Sequence, residues 1–177
     1  MPEIIPNWHP VFVHFTIALF SVSTLLFILA NFANLTYKEK LLNAAYINLW
    51  VGCLFTFGTI AMGFYAYNTV AHDEPSHAAM TDHKNWALVT AIFFLILTIW
   101  SVKLYKKDDK LNKLFMISLI VATTLLSVTG FKGGEAVYRY GLGVMSLPNT
   151  DSHKHNANES PGMHGDEKGH DMKPHSH

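Results

Sequence analysis

Eleven histidines stand in this chain of 177 residues, and they are unevenly placed. His9 and His14 open the first apolar run, His72 and His77 lie in a polar stretch, and His83 opens a later apolar run. The other six, His153, His155, His164, His170, His175 and His177, crowd the C-terminal tail. Neutral imidazole is the commonest side-chain metal ligand. Two histidines on facing helices can also hold haem b through its axial positions. The stretch from Val70 to His83 adds the carboxylates of Asp73, Glu74 and Asp82 and the thioether of Met80. That mixture suits zinc, copper or nickel better than calcium. The plainer reading of the same stretch is a polar loop ending in a helix start, with Thr81 or Asp82 as N-cap. Cys53 is the only cysteine, which excludes an internal disulfide and thiolate zinc sites.

The elements that must position these side chains are four long apolar runs, roughly 11–33, 46–70, 86–102 and 114–131. Each is close to the ~20 residues a helix needs to cross a bilayer. None shows the charged face of a soluble amphipathic helix. In lipid the backbone must satisfy its own hydrogen bonds, so helices are the expected form. The expected fold is all-α: a four-transmembrane-helix bundle over 1–147, a short glycine-rich interfacial segment, and a disordered His-rich tail over 148–177. Residues 149–177 contain no aromatic, Ile, Leu or Val residue and cannot bury enough apolar surface to order themselves. Residues 1–10 hold no Lys or Arg, so the first run is expected to be a permanent span rather than a cleaved signal.

The neutral net charge conceals an asymmetry. Lys38 and Lys40 follow the first run, and Lys103, Lys106, Lys107, Lys110 and Lys113 follow the third. Positive loops stay in the cytoplasm. The expected location is therefore a bacterial inner membrane, multi-pass, with both termini and the middle loop in the periplasm. All eleven histidines then lie on or near the outer side. No basic stripe is present to engage nucleic acid.

Small and weakly polar residues recur at helical spacing in each run: Pro10, His14, Ala18 and Ser21; Gly52, Thr56, Thr59, Gly63 and Ala66; His83, Ala87, Thr90 and Thr98; Ser118, Ala122, Thr129 and Gly133. Such stripes form the seams of membrane bundles. They predict that His14 and His83 face inward at similar depth, as axial ligands of haem b. Arg139, with Tyr138 and Tyr140 beside it, is the expected propionate partner, and His9 and His72 are competing ligands. The plainer reading makes both histidines interfacial groups bonded to nearby backbone. His72, His77 and His83, with the six tail histidines, form an alternative set for divalent or cuprous ions, or the tail serves only solubility. In the segment 129–144, Glu135 and Arg139 are spaced for an i,i+4 pair. Its glycines allow a re-entrant lid, or an interfacial cap with Tyr138 and Tyr140 in an aromatic belt.

Two motifs resemble a known family. Asn7-Trp8-His9-Pro10-Val11-Phe12-Val13-His14-Phe15-Thr16-Ile17-Ala18-Leu19 is similar to the opening HPxxVHFPIAL, and Gly133 to Val144 to the closing GGxLVYxxGVGV, of domain of unknown function 2231. The resemblance covers roughly residues 8–145 and implies a four-helix membrane protein. It also implies an electron-transfer setting, since some relatives are joined to redox modules such as Rieske or cytochrome domains. Thr16 stands in place of the usual Pro, and Tyr140 where many relatives carry His, which removes one ligand from that position.

Three functions follow as expectations. The first is a redox-associated protein binding haem b or a metal at its outer histidines. The second is a copper, nickel or zinc handling protein that uses loop and tail. The third is a non-catalytic subunit docking a redox protein partner, with a homo-oligomer compatible with each. No catalytic triad, phosphate loop or paired-carboxylate site is visible, and no acidic residue lies within the spans. Enzyme and ion-transport readings are therefore disfavoured.

Overall fold

The computed structural model describes residues 8–107 and 110–144. The six tail histidines lie outside the described residues, so the metal-collecting and disordered-tail expectations are not addressed by it. Four helices account for almost all of the described chain: α1 (His9–Phe32), α2 (Leu35–Thr69), α3 (Glu74–Lys106) and α4 (Lys113–Tyr138). All four are long and apolar enough to cross a membrane. At about 1.5 Å per residue, α1 and α4 roughly match the hydrocarbon thickness, whereas α2 and α3 are about 50 Å long and project beyond it.

The helices thus extend beyond the apolar runs read from hydropathy. Lys38 and Lys40 stand in the first turns of α2, not in a loop. Asn34 caps this helix, its side chain accepting from the Tyr37 amide at 3.2 Å. The start of α3 moves furthest. Its N-cap is Asp73, not Thr81 or Asp82. The Asp73 carboxylate accepts from the Ser76 amide at 3.0 Å, and Ser76 Oγ accepts from the Asp73 amide at 2.9 Å, a reciprocal capping box. Hydropathy missed this turn because Glu74–Asp82 is polar, yet a capped helix outside lipid needs no apolar face. His77, Met80 and His83 are consequently helical. The glycine-rich segment also divides. Gly133 and Gly134 continue α4, and only Arg139–Val144 forms a turn, with Gly141 and Gly143 at φ 65° and 76°.

Short connections make the helices run up, down, up and down. The α1–α2 and α3–α4 hairpins are the closest-packed pairs, joined by lesser α2–α3 and α1–α4 contacts. α1 and α3 are therefore parallel and diagonal across the bundle. Ring contacts join them: Phe20 stacks on Phe94 at 3.8 Å and 5°, and His9 meets His83.

The outer surface is apolar along the whole bundle, with Leu25, Leu29, Leu54, Phe57, Ile92, Ile96, Ile117 and Val121 all exposed. A soluble monomer does not carry such a surface, whereas lipid covers it without penalty. Polar side chains within the spans are satisfied internally. Thr56, Thr98 and Thr123, for example, donate to the carbonyl four residues earlier. Among the described residues no buried side-chain nitrogen or oxygen lacks a partner.

Candidate functional site

The end of the bundle that carries the α1 and α3 N-termini is built twice. On α1, His9 Nδ1 donates to the Thr59 carbonyl of α2 at 3.1 Å. On α3, His83 Nδ1 donates to the Thr129 carbonyl of α4, also at 3.1 Å. Seven residues after each histidine a threonine pairs with the threonine of the same partner helix: Thr16 with Thr59 and Thr90 with Thr129, both at 2.8 Å. Four residues after each acceptor threonine stands a glycine facing the imidazole. A Cβ at Gly63 would lie 3.0 Å from His9 Cε1, and one at Gly133 would lie 3.0 Å from His83 Cε1. Any larger residue would press the ring away from its carbonyl. The two hairpins thus repeat one another about an axis along the bundle.

The sequence carries this duplication. His9-Thr16-Phe20-Thr24 recurs at the same spacing as His83-Thr90-Phe94-Thr98, and Thr59-Gly63-Ala66 as Thr129-Gly133-Ala136. Aligning the two halves would have selected His9 as the counterpart of His83. The stripe of small residues selected His14 instead, and His14 aligns with Leu88.

The structure brings His9 and His83 together, with ring centroids 6.3 Å apart and planes at 78°. Both rings are half-buried. His14 is exposed, and its Nδ1 donates to the Pro10 carbonyl one turn earlier on α1. Pro10 and Ala18 of the same small-residue stripe are exposed too. The buried line of α1 runs instead through Thr16, Phe20, Ser23, Thr24, Phe27 and Ala30. The seam of α1 thus carries small residues, Thr16, Ser23, Thr24 and Ala30, but on a different face from the stripe through Pro10, His14 and Ala18. On the other three helices the stripes are largely buried or half-buried as expected.

Between the four helices lies a cavity of about 630 Å3, with His9, His14 and His83 at its mouth and Phe20 and Phe94 at its base. That volume is within the ~300–1,000 Å3 typical of cofactor sites. The lining is mainly apolar, with the two threonine pairs and Gly63, Gly130, Gly133 and Gly134 supplying space. Leu142 and Gly143 also line it, so the turn after α4 borders the cavity. Arg139 is not among the lining residues. It bonds Glu135 at 2.7 Å, forming the i,i+4 pair anticipated from spacing. The cation at the cavity is Lys84, whose Nζ sits 4.1 Å from the Tyr67 ring centre. Beside it, Lys132 of α4 bonds Asp82 of α3 at 2.6 Å and ties that hairpin together.

His72 and His77 stand apart from this cavity, exposed in the α2–α3 connection and the first turn of α3. Their rings stack at 5.0 Å and 24°. Asp73 beside them is held below the usual carboxylate range, first by the Ser76 hydroxyl and then by the Ser76 amide. The three metal candidates of the middle stretch thus separate into an exposed pair and a cavity residue. Among the described residues no three His, Cys, Asp or Glu side chains converge on one point.

Fold and site together define a multi-pass membrane bundle of two like hairpins, each presenting one anchored histidine to a shared cavity. The chain belongs to the DUF2231 family, described as a predicted membrane protein, whose model matches residues 6–146. No curated protein and no solved structure matches the chain.

Proposed function

We propose that this protein binds b-type haem between His9 and His83 and takes part in electron transfer at the periplasmic side of a bacterial inner membrane. The carrying observation is the pair itself. Two metal–imidazole bonds of ~2 Å, each continued by roughly 1 Å to the ring centre, span about 6 Å, and the rings are 6.3 Å apart. Donation of each Nδ1–H to a helix carbonyl selects the tautomer with an unprotonated Nε2. The same arrangement orients metal-ligating histidines generally. The cavity offers an apolar lining for a macrocycle, and Lys84 gives a cation at its rim for a propionate. Bound there, the group supplies one-electron chemistry with a potential set by its axial ligands and surroundings. His9 and His83 would hold the group, Phe20 and Phe94 would exclude water at the base of the cavity, and the two carbonyls fix the orientation of the imidazole rings.

This reading replaces His14 with His9 as the partner of His83. The lysine-bearing ends of α2 and α3 support the periplasmic orientation of the opposite, histidine-bearing end. A redox protein at that face is the expected electron partner. The test is the visible spectrum of protein produced with ample haem supply. A Soret band that survives His14→Ala and disappears in His9→Ala and in His83→Ala is the expected result. A colourless wild type, or a band that depends on His14 and not on His9, overturns it.

A further inference from the structure

The geometry points to a second site, independent of the haem reading: a borderline divalent ion, Cu(II), Ni(II) or Zn(II), held by His72 Nε2 and His77 Nδ1. These two nitrogens face one another at 3.0 Å. Two imidazole nitrogens bound to one metal at about 2.0–2.1 Å, at right or tetrahedral angles, are themselves about 3 Å apart. The spacing therefore already suits a shared ion, with only rotation of two exposed rings needed to turn both lone pairs toward it.

What separates this pair from a chance contact is the bonding on the far side of each ring. His72 Nδ1 donates to the Val70 carbonyl at 2.7 Å. A carbonyl can only accept, so neutral His72 keeps Nε2 bare. His77 Nε2 lies 3.3 Å from Tyr67 Oη, which in turn lies 2.9 Å from Thr81 Oγ1. His72 thus has the backbone-carbonyl partner that metal-ligating histidines characteristically use, and His77 has a hydroxyl in the corresponding place. Without metal, the protons run in one direction. Thr81 donates to Tyr67, Tyr67 to His77 Nε2, His77 Nδ1 to His72 Nε2, and His72 Nδ1 to Val70. On binding, the His77 ring proton transfers to Nε2 and is donated to Tyr67 Oη, whose own hydrogen turns to Thr81 Oγ1. His77 Nδ1 is then free for the ion, and the site loses no net proton.

The backbone sets where the two histidines stand relative to one another. His72 is in the four-residue connection between α2 and α3, and the Asp73–Ser76 capping box sets where α3 begins, hence where His77 points. Asp73 is committed to that cap and is not a ligand. With two protein nitrogens and no third converging side chain among the described residues, water completes the shell. Such an open site suits ions that are acquired and released rather than a structural metal. Imidazole favours copper, nickel and zinc over calcium or magnesium.

The experiment is Zn(II) protection of histidines from diethyl pyrocarbonate in the full-length protein, read residue by residue by mass spectrometry. The tail histidines then report separately from the site. The expected result is that His72 and His77 become protected at one shared Zn(II) midpoint, while His14 does not. In His72→Ala the His77 midpoint should rise tenfold or more, and in Tyr67→Phe it should rise about tenfold. The pattern should persist in His83→Ala, which separates it from the haem site. Absence of protection at His72 and His77, or a His77 midpoint unchanged by His72→Ala, overturns the assignment.

Discussion

The two ends of the bundle are packed on opposite plans. At the end away from the histidines, Phe27, Tyr46 and Phe115 are 1 % exposed or less and interlock at 4.9–6.3 Å, with Trp100 edge-on to Phe115 at 5.4 Å. Their polar atoms are also spent there: Tyr46 donates to the Lys110 carbonyl at 3.0 Å and Trp50 to Ser101 at 2.8 Å. At the histidine end the same four helices carry Gly63, Gly133 and two threonine pairs, and they enclose a cavity. Lipid gives helices little hydrophobic incentive to associate, so tight side-chain packing must hold them together. One end supplies that packing. The other carries the cavity, and the stacked Phe20 and Phe94 separate the two.

The sharpest break of this contrast is His83→Ala. It should abolish haem absorbance, measured as Soret intensity per mole of protein, and leave the helical circular dichroism unchanged. Phe115→Ala should do the reverse. Truncating a fully buried ring costs about 3–5 kcal/mol in well-packed cores, so thermal or denaturant unfolding in detergent should shift strongly. Any protein that remains folded should keep its full absorbance. A third test stays at the histidine end. Gly133→Ala places a Cβ 3.0 Å from His83 Cε1, while alanine favours a helix over glycine by about 1 kcal/mol. Haem affinity should fall about tenfold with thermal stability changed by no more than about 1 kcal/mol. A matched loss of stability and affinity would show that glycine serves packing alone.

The smallest effect concerns the start of α3, outside the spans. The Asp73 carboxylate is held below its ordinary range by Ser76. A depressed folded value means the cap contributes fully above the unfolded carboxylate pKa, near 4, and loses its contribution as pH falls through the lower folded value. Amide hydrogen exchange in Glu74–His77 should therefore lose protection in acid relative to α1, and Asp73→Asn should flatten that dependence. Both ends of the bundle should stay protected across the same range.

Much of the fold was legible before any tertiary contact. Hydropathy located four spans, because lipid demands uninterrupted apolar helices. The Glu135–Arg139 pair followed from helical spacing alone. The first turns of α2 and α3 were not legible by that route, since a polar helix outside the bilayer has no hydropathy signature. Asp73 and Ser76 did carry a capping signal, but Thr81 and Asp82 offered a competing one closer to the apolar run. His14 is exposed rather than inward-facing for a different reason. Small residues recur on two faces of α1, and the packed face is the one through Thr16, Ser23, Thr24 and Ala30, not the one through Pro10, His14 and Ala18.

The amino-acid sequence by itself determined the class of this protein: helical and membrane-spanning. Those properties depend on the length, polarity and order of residues, which need no partner. It also carried the repeat of His9, Thr16 and Phe20 in His83, Thr90 and Phe94, a signal that acquires meaning only once the halves are superposed. Tertiary structure alone decided which imidazoles meet. His9 and His83 are on diagonal helices, and only the packing of α2 and α4 brings the Thr59 and Thr129 carbonyls to turn both rings toward one cavity. His72 and His77 are five positions apart in the chain, yet their nitrogens converge because a capping box sets the exact residue at which α3 begins.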